Sequence, residues 1–181
     1  MRTRFIFFLL LTLLINANCN NKKSENTSVP KEYIYKDYGF AITFENPPKK
    51  QESVVPTNIG NVIAVAIGDE QENESYIVLL NVYPEKYKDQ VNASESIKKQ
   101  VLETAKNMNM TIIEEKENNW QNLPSFYVFA QNLDNNQYAV IQGVASGNNV
   151  YIIAGLAKGE QGDQIVNSKG EEFIKSFRLL K

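Results

Sequence analysis

The sequence predicts an α+β fold, an antiparallel β-sheet of about six to eight strands sandwiched between helices (α/β/α). Short segments rich in aromatic and β-branched residues recur from Tyr33 to Ala157, which indicates strands. One stretch between these segments, and a second near the C-terminus, repeat apolar residues with the period of an amphipathic helix. The chain of 181 residues, 43% hydrophobic and 22% charged, has the size and composition of one globular domain.

The first predicted elements are two pairs of strands. Tyr33–Phe44 is expected to form a strand, a turn and a second strand, and the prolines that begin at Pro47 end it because proline donates no ladder hydrogen bond. Val62–Ile67 and Tyr76–Tyr83 form the next predicted pair. The acidic stretch Gly68–Ser75 is expected to be the loop between them.

An amphipathic helix is predicted next. Asn92 is expected to cap its first turn, with Glu95 three residues later in a capping-box arrangement. The apolar residues then recur on one helical face, and they are Ile97, Val101, Leu102, Ala105 and Met108.

The second half of the chain is predicted to contain four strands followed by a second helix. The predicted strands are Thr111–Glu115, Ser125–Gln131, Gln137–Ser146 and Val150–Ala157. The last two flank Gly147-Asn148-Asn149, which predicts a tight hairpin. Their apolar residues are nearly continuous, so we expect both faces of the sheet to be covered. A final helix from about Asp163, weakened midway by Gly170, is the predicted second cover.

The order of these elements is similar to that of the PsbP-like family. The matching pieces are Tyr38–Phe44 followed by Pro47, the helix after Tyr83-Pro84, and the ending Phe173–Arg178. Members of this family are exported or organelle-lumen accessory proteins, so the resemblance implies a binding scaffold without a shared catalytic motif. It covers the chain from about Tyr33 to the C-terminus.

The N-terminus resembles a bacterial lipoprotein signal. Arg2 and Arg4 precede an apolar run from Phe5 to Ile15, which is too short to span a bilayer. Cys19 follows as the only cysteine, and we expect cleavage before it and acylation by fatty acids such as palmitate. The polar Asn16 and Asn18 depart from the usual signal, and cleavage after Ala17 is the alternative.

This signal divides the chain into three parts: the signal peptide 1–18, the lipidated cysteine and flexible tether 19–31, and the domain 32–181. The tether is polar, and its last twelve residues would reach about 40 Å when extended or about 20 Å as a coil. Asn20, rather than an aspartate, follows the cysteine. We therefore expect a lipid anchor in the cell envelope, in the outer membrane rather than the inner, with the domain facing the periplasm or the cell surface.

The composition limits the chemistry that the protein can perform. The chain has no histidine, which removes Ser-His-Asp and Cys-His sites and the commonest metal ligand. A single cysteine excludes an intramolecular disulfide. The formal net charge of -2 disfavours nucleic-acid binding. We expect no catalytic residues, no cofactor and no bound metal.

Two groups of residues are candidates for binding. The acids Asp69, Glu70, Glu72 and Glu74 lack the spacing of a calcium loop, so a solvated acidic loop is the favoured interpretation. Trp120, in a predicted polar loop from Asn118 to Pro124, and the tyrosines Tyr83 and Tyr87 are candidate partner-binding residues. The alternative is that these aromatic rings cover the sheet and close the core.

These observations predict a membrane-tethered, non-catalytic accessory or binding module of the bacterial cell envelope, with an envelope protein as its partner. The alternative function is a small-ligand carrier or a carboxylate-based hydrolase. That alternative needs an enclosed pocket in which acidic side chains converge.

Overall fold

The computed structural model describes residues 29–180, and within this range the chain forms ten strands and four short or medium helices. The strands are β1 (Lys31–Tyr35), β2 (Phe40–Phe44), β3 (Lys49–Thr57), β4 (Gly60–Glu70), β5 (Glu74–Val82), β6 (Thr111–Trp120), β7 (Leu123–Asn132), β8 (Gln137–Ser146), β9 (Asn149–Lys158) and β10 (Arg178–Leu179). The helices are α1 (Lys88–Val91), α2 (Ser94–Asn107), α3 (Gly162–Ile165) and α4 (Glu171–Ser176).

Seven strands form the main sheet in the order β3-β4-β5-β9-β8-β7-β6. Every neighbouring pair is antiparallel, and β5 pairs with β9 at the centre of the sheet. The number of strands lies within the predicted range. The predicted hairpin is also confirmed, since Ser146 pairs with Asn149 across a turn whose first central residue, Gly147, has a φ of 62°.

Helix α2 covers one face of the main sheet, as its apolar period predicted. Ile97, Val101 and Ala105 are at most 1% exposed and pack against buried residues of the sheet, among them Phe126 and Ile141. Because a fully buried large apolar side chain contributes about 1.5–3 kcal/mol, this row accounts for much of the attachment of the helix.

The other face is covered by a second layer that the sequence predicted only in part. The C-terminal helix, which comprises α3, α4 and the turn between them (residues 162–176), lies there. A three-stranded sheet in the order β1-β2-β10 lies there as well. The strand pair predicted over Tyr33–Phe44 therefore forms a small sheet of its own. Rings from both sheets and the helix stack in the core, with Phe40 lying 5.4 Å from Phe177 and 5.7 Å from Tyr151 between ring centroids. The fold is mostly sheet, with helices packed on it.

The C-terminal helix approaches the main sheet at two glycines. A π-helical turn, Val166–Gly170, joins α3 to α4, at the place where Gly170 was expected to weaken the helix. A Cβ atom on Gly170 would lie 2.7 Å from Cγ2 of Val140, and one on Gly155 would lie 2.7 Å from Cα of Gly170. Gly170 therefore permits close contact with the sheet, in addition to loosening the helix.

Strand β3 was not predicted. Its residues include Pro56 and several charged side chains, and all nine are exposed or half-buried at the edge of the sheet. The Tyr38 hydroxyl donates to Glu52, and Lys50 donates to that hydroxyl at 2.6 Å. This strand buries little apolar surface, so its hydrophobic pattern is weak.

Several predicted boundaries were wrong. The N-cap of α2 is Ala93, without a side-chain capping bond, and the Asn92 amide instead donates to the carbonyls of Lys88 and Gly147. The predicted acidic loop belongs mostly to β4 and β5, which leaves Gln71–Asn73 as the turn. Asn118 to Trp120 belong to β6 rather than to a loop.

The predicted signal peptide, Cys19 and all of the predicted tether except its last three residues lie outside the described residues. Within 29–180, no helix combines the length and the apolar character needed to cross a bilayer. The predicted domain boundary at residue 32 lies one residue after the start of β1.

Candidate functional site

A shallow cleft lies between the end of β2, Tyr76 of β5 and the C-terminal helix. Its volume is about 110 Å³, and apolar rings form its floor while polar side chains form its rim. The lining residues are Pro30, Thr43, Phe44, Glu45, Tyr76, Lys169, Glu172, Phe173 and Ser176. Phe173 lies 5.1 Å from Phe44 and 5.2 Å from Tyr76 between ring centroids. These contacts fix the floor of the cleft.

The carboxylate of Glu74 lies beside this cleft and accepts hydrogen bonds from two side chains. The Tyr76 hydroxyl donates to Glu74 Oε2 at 2.5 Å, and Lys169 donates to both carboxylate oxygens, at 3.0 and 3.1 Å. The Glu74 side chain is 14% exposed, whereas that of Lys169 is 46% exposed. The pair therefore joins the C-terminal helix to the first residue of β5.

The same contacts keep both donors protonated. Burial, followed by the hydrogen bond to Glu74, raises the pKa of Tyr76 far above its usual value. The hydrogen bond to Glu74 raises the pKa of Lys169. A protonated phenol and a protonated amine cannot act as a general base or a nucleophile near neutral pH. The arrangement supplies an ion pair and a hydrogen bond to the fold.

The acidic stretch does not form a metal site among the described residues. Asp69 is 6% exposed and its Oδ2 accepts from the Asn46 side chain at 2.9 Å and from Gln71 at 3.1 Å. Glu74 is paired as described above, and Glu70 and Glu72 are exposed. No three acidic side chains in residues 29–180 are grouped as a cation would require.

Apolar side chains lie in two groups at the opposite end of the main sheet, on the face that carries the small sheet. Val54 pairs with Ile63, and Ile63 pairs with Val82 in the next strand. Val54 is 58% exposed, and the other two are half-buried. Trp120 and Leu123, which pair with each other, lie at the same end on β6 and β7.

Trp120 is the last residue of β6 and packs against the core that lies between the main sheet and the small sheet. Gln121 and Asn122 follow it with φ angles of 51° and 69°, the pattern of a type I′ hairpin turn. The ring is half-buried, and its Nε1–H is buried without a hydrogen-bond partner. Trp120 therefore lies half-buried on the sheet, and its role in partner binding stays a prediction.

Comparison with known proteins identifies the fold. No family model matches the sequence, and no curated protein does so either. The solution structure of the cyanobacterial PsbP protein (CyanoP) from Synechocystis sp. PCC 6803 matches with a TM-score of 0.57 and 11% identity. The match covers 88% of this chain and 97% of that one. The fold is PsbP-like.

A second solved structure is more distant from this PsbP-like domain. It is a Pseudomonas aeruginosa protein of unknown function described as a putative regulator, with a TM-score of 0.39 and 9% identity. It covers 79% of this chain and 92% of its own. The likeness to the cyanobacterial protein establishes the fold alone, because fold does not determine function.

The candidate Tyr83 lies on the α2 side of the PsbP-like domain, and the candidate Tyr87 follows in the segment between β5 and α1. Tyr83 is 6% exposed and donates to Gln100 Oε1 at 3.3 Å, and burial raises its pKa to about 12. Tyr87 is half-buried, with the Lys86 ammonium 5.0 Å from its ring centroid. Trp120 lies on the opposite face of the sheet. The three candidate rings therefore do not form one surface.

The contact between Glu74 and Lys169 is not evident from the sequence. The two residues are 95 positions apart, and each is an ordinary charged residue in its own segment. No local pattern distinguishes them from other solvent-exposed charges. Only the packing of the C-terminal helix on the main sheet brings them together.

Proposed function

We propose that this protein is a lipid-tethered, non-catalytic accessory module that binds a protein partner in the bacterial cell envelope. The observation that carries the proposal is that Tyr76 and Lys169, at the cleft, both donate to Glu74. Side chains paired with one another in this way stabilise the fold and are not themselves available as a base or a nucleophile. The signal-like N-terminus and Cys19 support the tether.

The size of the cleft disfavours the alternative of a small-ligand carrier or hydrolase. Ligand pockets usually have volumes of about 300–1,000 Å³, whereas this cleft has about 110 Å³ and a larger, open hollow on α2, lined by residues from Glu95 to Lys106, has about 260 Å³. Glu45 and Glu172 line the cleft, but the neighbouring carboxylate of Glu74 is already paired with Lys169. A pair of carboxylates acting on one substrate would need both to be available.

The tether is tested by metabolic labelling with an alkyne fatty acid, followed by separation of inner and outer membranes. We expect labelled protein in the outer-membrane fraction and no label in Cys19→Ala. Asn18→Ala is the matched control, since it keeps the cysteine and places a small residue before it, and it should be labelled at least as well. An unlabelled wild type would overturn the tether.

The accessory role is tested by cross-linking in cells with a C-terminally tagged chain. We expect one dominant envelope protein, captured less efficiently in the Cys19→Ala strain because the tether no longer concentrates the domain at the membrane. Glu74→Gln should capture the same partner. Recovery of the protein alone from every strain, together with turnover of a small molecule that Glu74→Gln abolishes, would replace this proposal with the hydrolase.

A further inference from the structure

The two ends of the main sheet differ sharply in charge. We call the end where β3 starts and β4 finishes the entry end. Four segments lie there, each made of a connection and the strand or helix residues next to it: 45–49, 69–74, 132–137 and 158–163. They contain eight acidic residues and two lysines, which are Glu45, Asp69, Glu70, Glu72, Glu74, Asp134, Glu160 and Asp163 with Lys49 and Lys158.

The opposite end, which we call the far end, is nearly neutral. Its connecting segments are 57–61, 83–93, 120–123 and 146–149. They contain two acidic residues and two lysines, all of them in the segment between β5 and α2. The three turns at this end that join neighbouring strands are built from uncharged residues, mainly asparagine and glycine. Trp120 lies here.

The N-terminal part of the chain reaches the domain at the entry end. Lys31 pairs with Phe44 at the start of β1, and Pro30 lines the cleft together with Glu45 and Glu172. Lys31 and Lys169 add positive charge at this end, although Lys169 is paired with Glu74. With Glu172 included, the entry end holds nine acidic residues and four lysines.

We infer that anionic head groups repel this entry end when the chain is anchored through its N-terminal segment, so that the domain stands off the bilayer with its far end outward. The inference rests on the lipid tether of the proposed function. The potential of an anionic leaflet acts on charges within about one Debye length, which is about 10 Å at 0.1 M salt. The sequence predicts a polar tether before the domain, and a flexible coil of ten residues has a root-mean-square span of roughly 15–20 Å, which would give the domain room to move away.

The sequence provides both the anchor and the reporter for a test. Cys19 is the only cysteine, so a maleimide lipid attaches the mature chain to vesicles at that residue alone. Trp120 is the only tryptophan, and it lies at the far end of strands of nine to eleven residues. Energy transfer from Trp120 to a dansyl lipid in the vesicle surface therefore reports how closely the far end approaches the bilayer.

Transfer is measured on phosphatidylcholine vesicles with and without one-third phosphatidylglycerol. In about 10 mM salt, where the Debye length is about 30 Å, we expect transfer to be about twofold lower on the anionic vesicles. In about 1 M salt, where that length is about 3 Å, the two vesicles should give the same transfer. Equal transfer on both vesicles in low salt would overturn the inference.

A pair of variants tests whether the energy transfer depends on the position of the negative charge or only on its total amount. Glu70→Gln/Glu72→Gln/Glu160→Gln removes three exposed charges from the entry end and should raise transfer on anionic vesicles. Glu114→Gln/Glu115→Gln/Glu117→Gln removes the same number from the middle of β6 and should change transfer less. Equal changes in the two variants would contradict an effect of the entry end. Because the lipid is attached chemically, these outcomes do not depend on whether cells acylate Cys19.

Discussion

Replacing Gly170 by alanine should raise the stability of the protein if helix propensity dominates and lower it if packing dominates. Propensity favours alanine in a helix by about 1 kcal/mol. Packing opposes it, because the new Cβ would lie 2.7 Å from Cγ2 of Val140, while carbon atoms prefer about 3.5–4.0 Å. Val140 is completely buried and cannot swing into solvent. We expect the packing effect to be the larger.

The magnitude follows from the two contributions. Overfilling a packed core costs about 1–3 kcal/mol, and the propensity gain offsets about 1 kcal/mol of this cost. Gly170→Ala should therefore lower the free energy of unfolding by about 1 kcal/mol and Tm by about 2–4 °C. Gly155→Ala should lower this free energy by about 2–3 kcal/mol, since its Cβ meets a backbone atom of Gly170 and the whole helix must shift.

The assay is urea and thermal denaturation of the chain from residue 20, followed by circular dichroism, in a double-mutant cycle with Val140→Ala. In the Val140→Ala background the contact is gone, so Gly170→Ala should be neutral or stabilising by up to about 1 kcal/mol. Additivity of the two single changes within about 0.5 kcal/mol would refute the reasoning. A higher Tm for Gly170→Ala alone would refute it as well.

Three further variants test single contacts. Trp120→Phe removes an unpaired buried N–H, which favours folding, and also buried ring area, which opposes it. The free energy of unfolding in urea should therefore stay within about 1 kcal/mol of wild type, and a loss of about 3 kcal/mol would contradict this. Tyr83 keeps its proton when folded up to a pKa of about 12, whereas the unfolded side chain loses it near 10.0, so stability should fall as pH rises through this window. The stability of Tyr83→Phe, measured by urea titration, should fall less steeply over this pH range. An unchanged slope would contradict the assignment of this pH dependence to Tyr83. Gln121→Ala removes bonds of 3.0 and 3.2 Å to Phe177 and Leu179, and hydrogen exchange at the Leu179 amide should become about tenfold faster, equivalent to about 1.4 kcal/mol. An unchanged exchange rate would show that other contacts hold β10.

The strands and helices that the sequence located best are those with a buried face. Strands β8 and β9 have nearly continuous apolar patterns, because most of their positions are buried. Helix α2 repeats apolar residues on one face, although the polar Gln100 and Thr104 are buried there as well. Strand β3 lies at an edge and buries little, so the same analysis did not detect it. The capping prediction at Asn92 failed because that amide is used in a distant contact with Gly147.

The candidate site was predicted less well than the fold. Trp120 was expected in a loop, but two residues with positive φ after it form a hairpin turn and extend β6 to the tryptophan. Tyr83 and Tyr87 were predicted as a second candidate binding surface, apart from Trp120. The structure places Tyr83 and Trp120 on opposite faces of the main sheet.

The sequence by itself determined that helices pack on an antiparallel sheet, six of the seven strands of the main sheet, and the positions of the buried helix and the hairpin between β8 and β9. These depend on the alternation of side chains within one segment, which is a local property. The tertiary structure alone decided that the first strand pair leaves the main sheet, that Lys169 meets Glu74, and that acidic segments from four parts of the chain gather at one end. Such contacts depend on which surfaces, far apart in the sequence, pack against each other. The periodicity of one segment contains no information about the segment that it packs against.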